Sequence, residues 1–404
     1  MQKDTEDFFT AKKEWSIIKD DLLACYLKPY FSKIIHTRKP INYIDCFAGK
    51  GKFDDGHDGS PIIALKIIAE CLSHANSLPV PKINTYFIEL KYAEELKANL
   101  QNYSEIHVIE GLYQEKIKNL LKNKIGENIF LYIDPFGIKC LDFDLYSFYA
   151  SMNFSSVEML INFNSFGFIR EACRIEKLED KHIKEIETIL AVFKGVLLGN
   201  SSELELNTIA GGDYWKTIIN DYRCNKINCY EAEKMLSMQY CKKLGEKFKY
   251  VINMPIRLKS GQQPKYRMIH ATNSEDGCIL MFQNICNRWQ NLGDIQTKNS
   301  SPSLFEENIE NEIIDEASTQ SIILNHLKNY SKPIHMNNFL AELFTKEGVF
   351  TKWDILQKTL RNLEKDKKIL LKRTPAITAK TGKPTTFINE SKKENHFIEI
   401  RINR

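Results

Sequence analysis

Asn42 to Ser60 reads NYIDCFAGKGKFDDGHDGS, and this stretch decides the fold. An apolar, β-prone run (Tyr43, Ile44, then Cys46 to Ala48) suits a buried strand, with an acid at Asp45 and glycines where a helix should begin. Gly49 and Gly51 can take positive φ or let a ligand touch bare main chain. Two common glycine loops are excluded by spacing. A dinucleotide loop needs a third glycine where Asp54 stands, and a phosphate loop needs Lys followed by Ser or Thr where Lys52 and Phe53 stand. The pattern left is D-x-F-x-G-x-G, as Asp45, Phe47, Gly49 and Gly51.

Working outward, residues 7–35 place Trp15, Ile18, Leu22, Tyr26, Leu27 and Phe31 at helical spacing, with Pro29 marking a break. Downstream, Lys52 to Asp58 reads as a polar, mobile segment. Gly59-Ser60-Pro61 then predicts a helix start, with Ser60 as N-cap and Pro61 at the first helical position. Ile83 to Leu90 (INTYFIEL) is a second strand tipped by Glu89, an acid that can accept from two ribose hydroxyls. The separation of Gly51 from Glu89 is about twice the roughly 20 residues of the compact Rossmann pattern. The Lys52 to Asp58 segment and a turn at Pro79 account for the excess.

Further on, Tyr92 to Tyr103 and Gln114 to Lys124 read as helices around a short strand at His107 to Glu110. Ile129 to Ile133 (IFLYI) is a buried strand of the parallel type, followed at its carboxyl end by Asp134-Pro135-Phe136-Gly137. Val157 to Asn164 (VEMLINFN) is another. Strands alternating with helices at this spacing predict an α/β, doubly wound sheet, and open sheets of this kind bind ligands at the carboxyl ends of their strands. Helices are expected at Leu178 to Phe193 and Cys229 to Leu244. Phe248 to Leu258 and Lys265 to Ala271 are expected as two strands, with a helix from Cys278 completing the first domain.

The chain has 404 residues, 43% apolar, with a net charge of +4. That length suggests two to three domains. Charge is unevenly distributed. Residues 300–318 hold six acids and no Lys or Arg, whereas residues 319–404 hold 17 Lys plus Arg against eight acids. A basic module behind an acidic linker favours a polyanionic partner. Within it, Ser321 to Leu327, Met336 to Phe344 and Trp353 to Leu363 read as short helices. Ile369 to Arg373 and Thr385 to Ile388 flank a turn at Lys380 to Pro384. Three helices and a basic hairpin outline a winged helix, with Thr351 to Lys368 as recognition helix. Lys352, Lys358 and Arg361 on that helix, and Lys380 and Lys383 on the wing, are the candidate nucleic-acid contacts. The domains expected are therefore 1–299, a linker 300–318, and 319–404.

Ten cysteines are scattered without a C-x-x-C pair, so neither a zinc site nor a disulfide framework is expected. The opening MQKDTEDFFTAKKEW lacks an apolar signal core, and no run approaches the roughly 20 apolar residues that span a bilayer. The expectation is a cytoplasmic protein.

The D-x-F-x-G-x-G loop resembles the first motif of class I S-adenosylmethionine (SAM) methyltransferases. That resemblance implies a Rossmann-like sheet with an antiparallel edge, and SAM held by Asp45, Phe47, Gly49, Gly51, Ser60 and Glu89. It also implies a leading helix beside the loop, from which Trp15 or Lys19 can reach the site. Asp134-Pro135-Phe136-Gly137 is similar to the D-P-P-[YFW] motif of methyltransferases acting on exocyclic amines, with Phe136 in place of the second proline and Gly137 in place of the aromatic. On that resemblance Asp134 accepts a hydrogen from the acceptor group and Phe136 stacks or walls the pocket. The whole order, YIDCFAGKG, GSPIIAL, FIEL, YIDPFG and INFN, resembles the three-Cys-motif partner proteins (TcmP) over about residues 10–290. Its best-matched positions are Asp45, Gly49, Gly51, Ser60, Glu89, Asp134 and Gly137. The resemblance implies a radical-SAM-like partner bearing the three cysteines. Three functions stay open: a methyltransferase modifying a nucleobase or other nucleic-acid group, a non-enzymatic SAM- or partner-binding component serving defence against mobile elements, and another nucleotide-using enzyme.

Overall fold

The computed structural model describes residues 9–75, 80–191, 201–256, 264, 266–297, 315–378, 380–391 and 394–403. The chain divides into two compact units, Met1–Asn273 and Ser274–Arg404.

The first unit is built on seven strands: β1 Ile41–Asp45, β2 Ile83–Glu89, β3 Ile106–Glu110, β4 Asn128–Ile133, β5 Ser156–Phe163, β6 Tyr250–Ile256 and β7 Tyr266–Thr272. Their order is β3-β2-β1-β4-β5-β7-β6. The first five are parallel, and β7 runs antiparallel to both β5 and β6. This is the Rossmann-like class I methyltransferase sheet, with its antiparallel edge formed by the two strands expected around residues 248–271. Every residue of β1 and β4 is buried, as befits central parallel strands covered on both faces. Register then fixes the site: Asp45 lies opposite Phe87 of β2 and Tyr132 of β4, so the carboxyl ends of three strands open side by side.

Helix Glu14–Ile34 covers one face, where Tyr26 and Tyr30 pack on Phe130 and Tyr43 stacks on the same ring. Pro29 lies inside this helix without ending it. Burial of Leu22, Leu23, Tyr26, Leu27, Tyr30 and Phe31 on both sides of the proline outweighs the roughly 3 kcal/mol of an interior proline. A buried polar trio fastens the helix. The Tyr26 hydroxyl donates to Glu158 of β5, and His270 Nε2 of β7 lies 3.1 Å from the same carboxylate.

Between β5 and β6 the described residues form five helices: Ser165–Ile175, Asp180–Ala191, Glu203–Ala210, Trp215–Arg223 and Cys229–Leu244. Ser202 with Glu205, and Asn228 with Glu231, form reciprocal capping boxes that start the third and fifth. Trp215 is fully buried and its Nε1 donates to Asn207 Oδ1 at 2.8 Å.

The second unit contains helices Glu275–Thr297, Glu316–Leu327, Met336–Glu347 and Trp353–Lys365, with strands β8 Ile334–His335, β9 Ile369–Thr374 and β10 Phe397–Ile402. Its sheet is antiparallel in the order β8-β10-β9. Helix Glu275–Thr297, read from sequence as the end of the first domain, packs within this unit. Phe282 stacks on Phe344 at 3.6 Å, and Cys278 Sγ donates to the Ala341 carbonyl. Most of the expected linker lies outside the described residues, as does the Pro79 turn. The expected strand Thr385 to Ile388 does not form, and β9 pairs instead with β10. Pro375 and Pro384 each lack the donor a ladder needs, so the chain leaves the sheet after Thr374 and returns at Phe397. The Lys380 to Pro384 turn is present, closed by Thr378 N to Lys383 O at 2.8 Å with Gly382 at φ 65°.

Candidate active site at the carboxyl edge of the sheet

The loop after β1 is threaded between its neighbours: Cys46 N donates to Tyr132 O of β4, and Ala48 N to Ile88 O of β2. Gly49 and Gly51 have φ of 61° and 74°. The φ of Gly51 favours glycine, and a Cβ there would also press on Leu96 Cδ1 at 2.8 Å, which would have to shift. Phe47 is half-buried and packs on Tyr113 at 5.1 Å.

Asp45 is fully buried. Its carboxylate accepts from Ser60 Oγ at 2.6 Å and Phe47 N at 3.2 Å, yet desolvation dominates and raises its pKa to about 7. Ser60 is therefore not the N-cap expected. Gly59 takes that position, and the Ser60 hydroxyl inside the first turn is turned toward Asp45. The segment expected to be mobile, Lys52 to Asp58, is a folded turn in which Phe53 N donates to His57 O. Residues 9–12 strap it: Asp54 N donates to Phe9 O, Lys12 N to Asp55 Oδ2, and Lys12 Nζ to Asp58 O.

Glu89 meets the glycine loop directly. Its Oε2 accepts from Gly49 N at 2.8 Å, and its Oε1 from Lys91 N and Tyr92 N at 2.8 and 3.2 Å. Among the described residues Oε2 has this single donor, which leaves one of its lone pairs available. Beside it, Leu90 and Leu112 are 49% and 41% exposed, and Gly111 N donates to Glu89 O, which joins the two strand ends carrying them. Sequence reading passed over both leucines, although an apolar residue directly after a strand-tip acid is the signal that could have found Leu90.

Asp134 follows β4 and is already engaged. Lys19 Nζ and Tyr132 OH donate to its Oδ2 at 2.5 and 3.2 Å, and Asn162 Nδ2 of β5 to its Oδ1 at 2.7 Å. Lys19, one of two residues expected to reach the site, does so; the side chain of the other, Trp15, lies outside the described residues. Nearby Asp20 pairs with Lys12 at 2.6 Å, and burial raises its pKa to about 6 despite that lysine. Phe136 is 49% exposed, and Gly137 takes φ 101° in the turn behind it. Asp45, Phe47, Gly49, Gly51, Ser60, Glu89 and Asp134 thus gather on one edge of the first unit.

In the second unit, Lys352, Lys358, Arg361, Lys380 and Lys383 are all exposed. Lys358 lies 3.0 Å from Glu316, and Glu364 is taken up in a bidentate pair with Arg373. Among the described residues no group of His, Cys, Asp and Glu is arranged to hold a metal ion, and no helix is long and apolar enough to cross a membrane.

No family model matches the chain, and no curated protein matches it. Among solved structures, it is similar to loganic acid methyltransferase with SAH at 9% identity, covering 65% of this chain and 96% of that one with a TM-score of 0.27. It is also similar to PKMT2 from Rickettsia typhi at 13% identity, covering 86% and 73% with a TM-score of 0.27. The same protein in complex with AdoHcy gives 15% identity, 85% and 73% coverage, and a TM-score of 0.26. The likeness is loose, and the strand order and directions of the first unit carry the fold.

Proposed function

We propose that the protein is a SAM-dependent methyltransferase acting on a nucleobase or another nucleic-acid group. The observation that carries this reading is the hydrogen bond from Gly49 N to Glu89, which brings the glycine loop and the strand-tip acid into one cradle although they are 40 residues apart. The residues present fit the cofactor. Half-buried Gly49 suits its amino-acid end, with buried Gly51 holding the turn against Leu96, the remaining Oε2 lone pair of Glu89 suits a ribose hydroxyl, and exposed Leu90 and Leu112 suit the faces of an adenine. Asp45 and Ser60 tie the loop to the first turn of helix Ser60–His74, and Phe47 anchors it from below.

When bound, SAM supplies a methyl electrophile on sulfur, which departs with the bond's electron pair. The chain's own task is then to position an acceptor and take up its hydrogen. Asp134 retains one lone pair on Oδ1 for that hydrogen, while Oδ2 is filled by Lys19 and Tyr132. Phe136 gives a flat base a surface to stack on. In the second unit, the order helix, β8, helix, helix, β9, β10 supports a winged helix, and its exposed lysines support a nucleic-acid partner.

Calorimetry with SAM on the wild type and on Glu89→Ala tests the cradle, with a loss of roughly 1.5 to 3 kcal/mol expected. Transfer of labelled methyl to mixed nucleic acids tests the reaction. SAM binding without transfer would favour the non-enzymatic component, working with a three-Cys-motif radical-SAM-like protein. NAD or ATP bound in place of SAM would refute the reading.

A further inference from the structure

Behind the glycine loop the first unit buries a cluster of charge. Asp45 is fully buried, Asp20 and Lys19 are each 8% exposed, and the side chains of Lys12 and Asp134 are 7% and 18% exposed. Two ion pairs account for four of these groups, Lys12 with Asp20 and Lys19 with Asp134. Among the described residues Asp45 has no lysine of its own; its partners are the Ser60 hydroxyl and the Phe47 amide.

We infer that, among the described residues, the amino-acid end of the site lacks one positive charge, three carboxylates being set against two ammonium groups, and that this deficit makes the site select the cationic cofactor over its neutral product. The inference rests on the SAM reading given above. SAM carries a sulfonium, an ammonium and a carboxylate, one net positive charge; the thioether product has lost the sulfonium and is neutral. A ligand of charge plus one completes the cluster, and the product leaves it short again.

Among the described residues no other group supplies the missing charge. Tyr43 and Tyr132 face the same acids, and burial holds both phenols far above their ordinary pKa, so they stay neutral. Cys46 is likewise held as a thiol. Glu89, held by three backbone amides, lies at the strand tip assigned to the ribose and outside the cluster, Asp58 pairs with Lys66, Asp55 with His57, and Lys50 lies over the rings of Phe9 and Tyr92. Without a cation the cluster balances itself by keeping a proton, which agrees with the raised values of about 7 for Asp45 and about 6 for Asp20. Arrival of a cation favours the ionised acids and expels that proton.

The consequence is a proton count that differs between cofactor and product. Calorimetry of the full chain at pH 6, in buffers of different ionisation enthalpy, is expected to show proton release on binding SAM, and little or none on binding S-adenosylhomocysteine. From pH 5.5 to pH 8 the SAM-to-product affinity ratio should rise about tenfold, as expected when up to one proton is linked to binding, and then level off. Asp20→Asn removes one acid from the cluster and should flatten that rise. The wild-type series decides the matter should the variant fail to fold. Equal proton counts for the two ligands, or a ratio flat with pH, would overturn the inference while leaving SAM as the cofactor. SAM failing to bind at any pH would overturn the cofactor reading and this inference with it.

Discussion

Replacing Asp45 with asparagine should stabilise the ligand-free protein at alkaline pH and not at acid pH. The Asp45 carboxyl is raised from 3.8 to about 7 by burial, so between these values the folded state holds a proton that the unfolded chain gives up. Stability from this group is fully present below pH 4 and is lost as pH rises toward 7, because the buried acid must then ionise. At 1.36 kcal/mol per unit, a shift of about three units is worth roughly 4 kcal/mol, and relaxation of the site brings the observable figure to about 2 to 4 kcal/mol. Asparagine never ionises. Its carbonyl can keep the Phe47 amide, and the Ser60 hydroxyl can rotate to accept from the new amide in place of donating at 2.6 Å. Urea unfolding of the full chain at pH 5, 6, 7 and 8 checks this, with wild type and variant compared at each pH so that every other titrating group cancels. The difference should grow in favour of Asp45→Asn from pH 5 to pH 7 and level off by pH 8. A difference that stays constant with pH would refute the argument, and would mean that Asp45 is hydrated or paired with a cation in the folded protein.

Gly51→Ala forces a Cβ to within 2.8 Å of Leu96 Cδ1 at φ 74°, and should cost about 1 to 3 kcal/mol in urea unfolding as well as weakening SAM binding. Asp134→Ala should abolish labelled-methyl transfer while calorimetry still finds SAM bound, with the rise of its affinity over the product with pH flattened as in Asp20→Asn, since the side chain bonds Lys19, Tyr132 and Asn162 and is one acid of the buried cluster. Full transfer in that variant would make the residue structural. Binding of the full chain to duplex DNA should weaken with salt, and removing Lys380 and Lys383 together should reduce the slope of log K against log salt by about 2; an unchanged slope would free the wing of any phosphate contact.

The site was legible where its chemistry lies close in sequence. Asp45, Gly49, Gly51 and Ser60 fall within one short stretch, and the apolar runs before Glu89 and Asp134 announced strands whose parallel register brings their tips together. Lys19 meets Asp134 across 115 residues, and no local pattern records that distance; only the resemblance brought Lys19 into consideration. Ser60 was assigned the wrong partner because a capping signal and a hydroxyl aimed at a buried acid look the same in one dimension. Leu90 and Leu112 were passed over since a single exposed leucine is ordinary, and only their adjacency at two strand ends gives them meaning. In the second unit, the turn at Lys380 to Pro384 and the strand from Ile369 were visible, but the partner of that strand was not. Prolines on either side of the excursion outweighed the β-prone residues Thr385 to Ile388.

The position of β7 has a consequence for how the protein is made. On one side β5 is completed early by β4, but on the other its partner is β7, where Phe163 meets Arg267. The helical stretch from Ser165 to Leu244 is synthesised between them. At about 5 to 20 residues per second a growing chain holds the apolar run of β5 as an open edge for roughly 5 to 20 seconds before that partner emerges. An unpaired, buried-type strand is the part of a sheet most prone to join a neighbouring chain. Slowing translation within the helical stretch should therefore lower soluble yield, whereas slowing it after Thr272 should not.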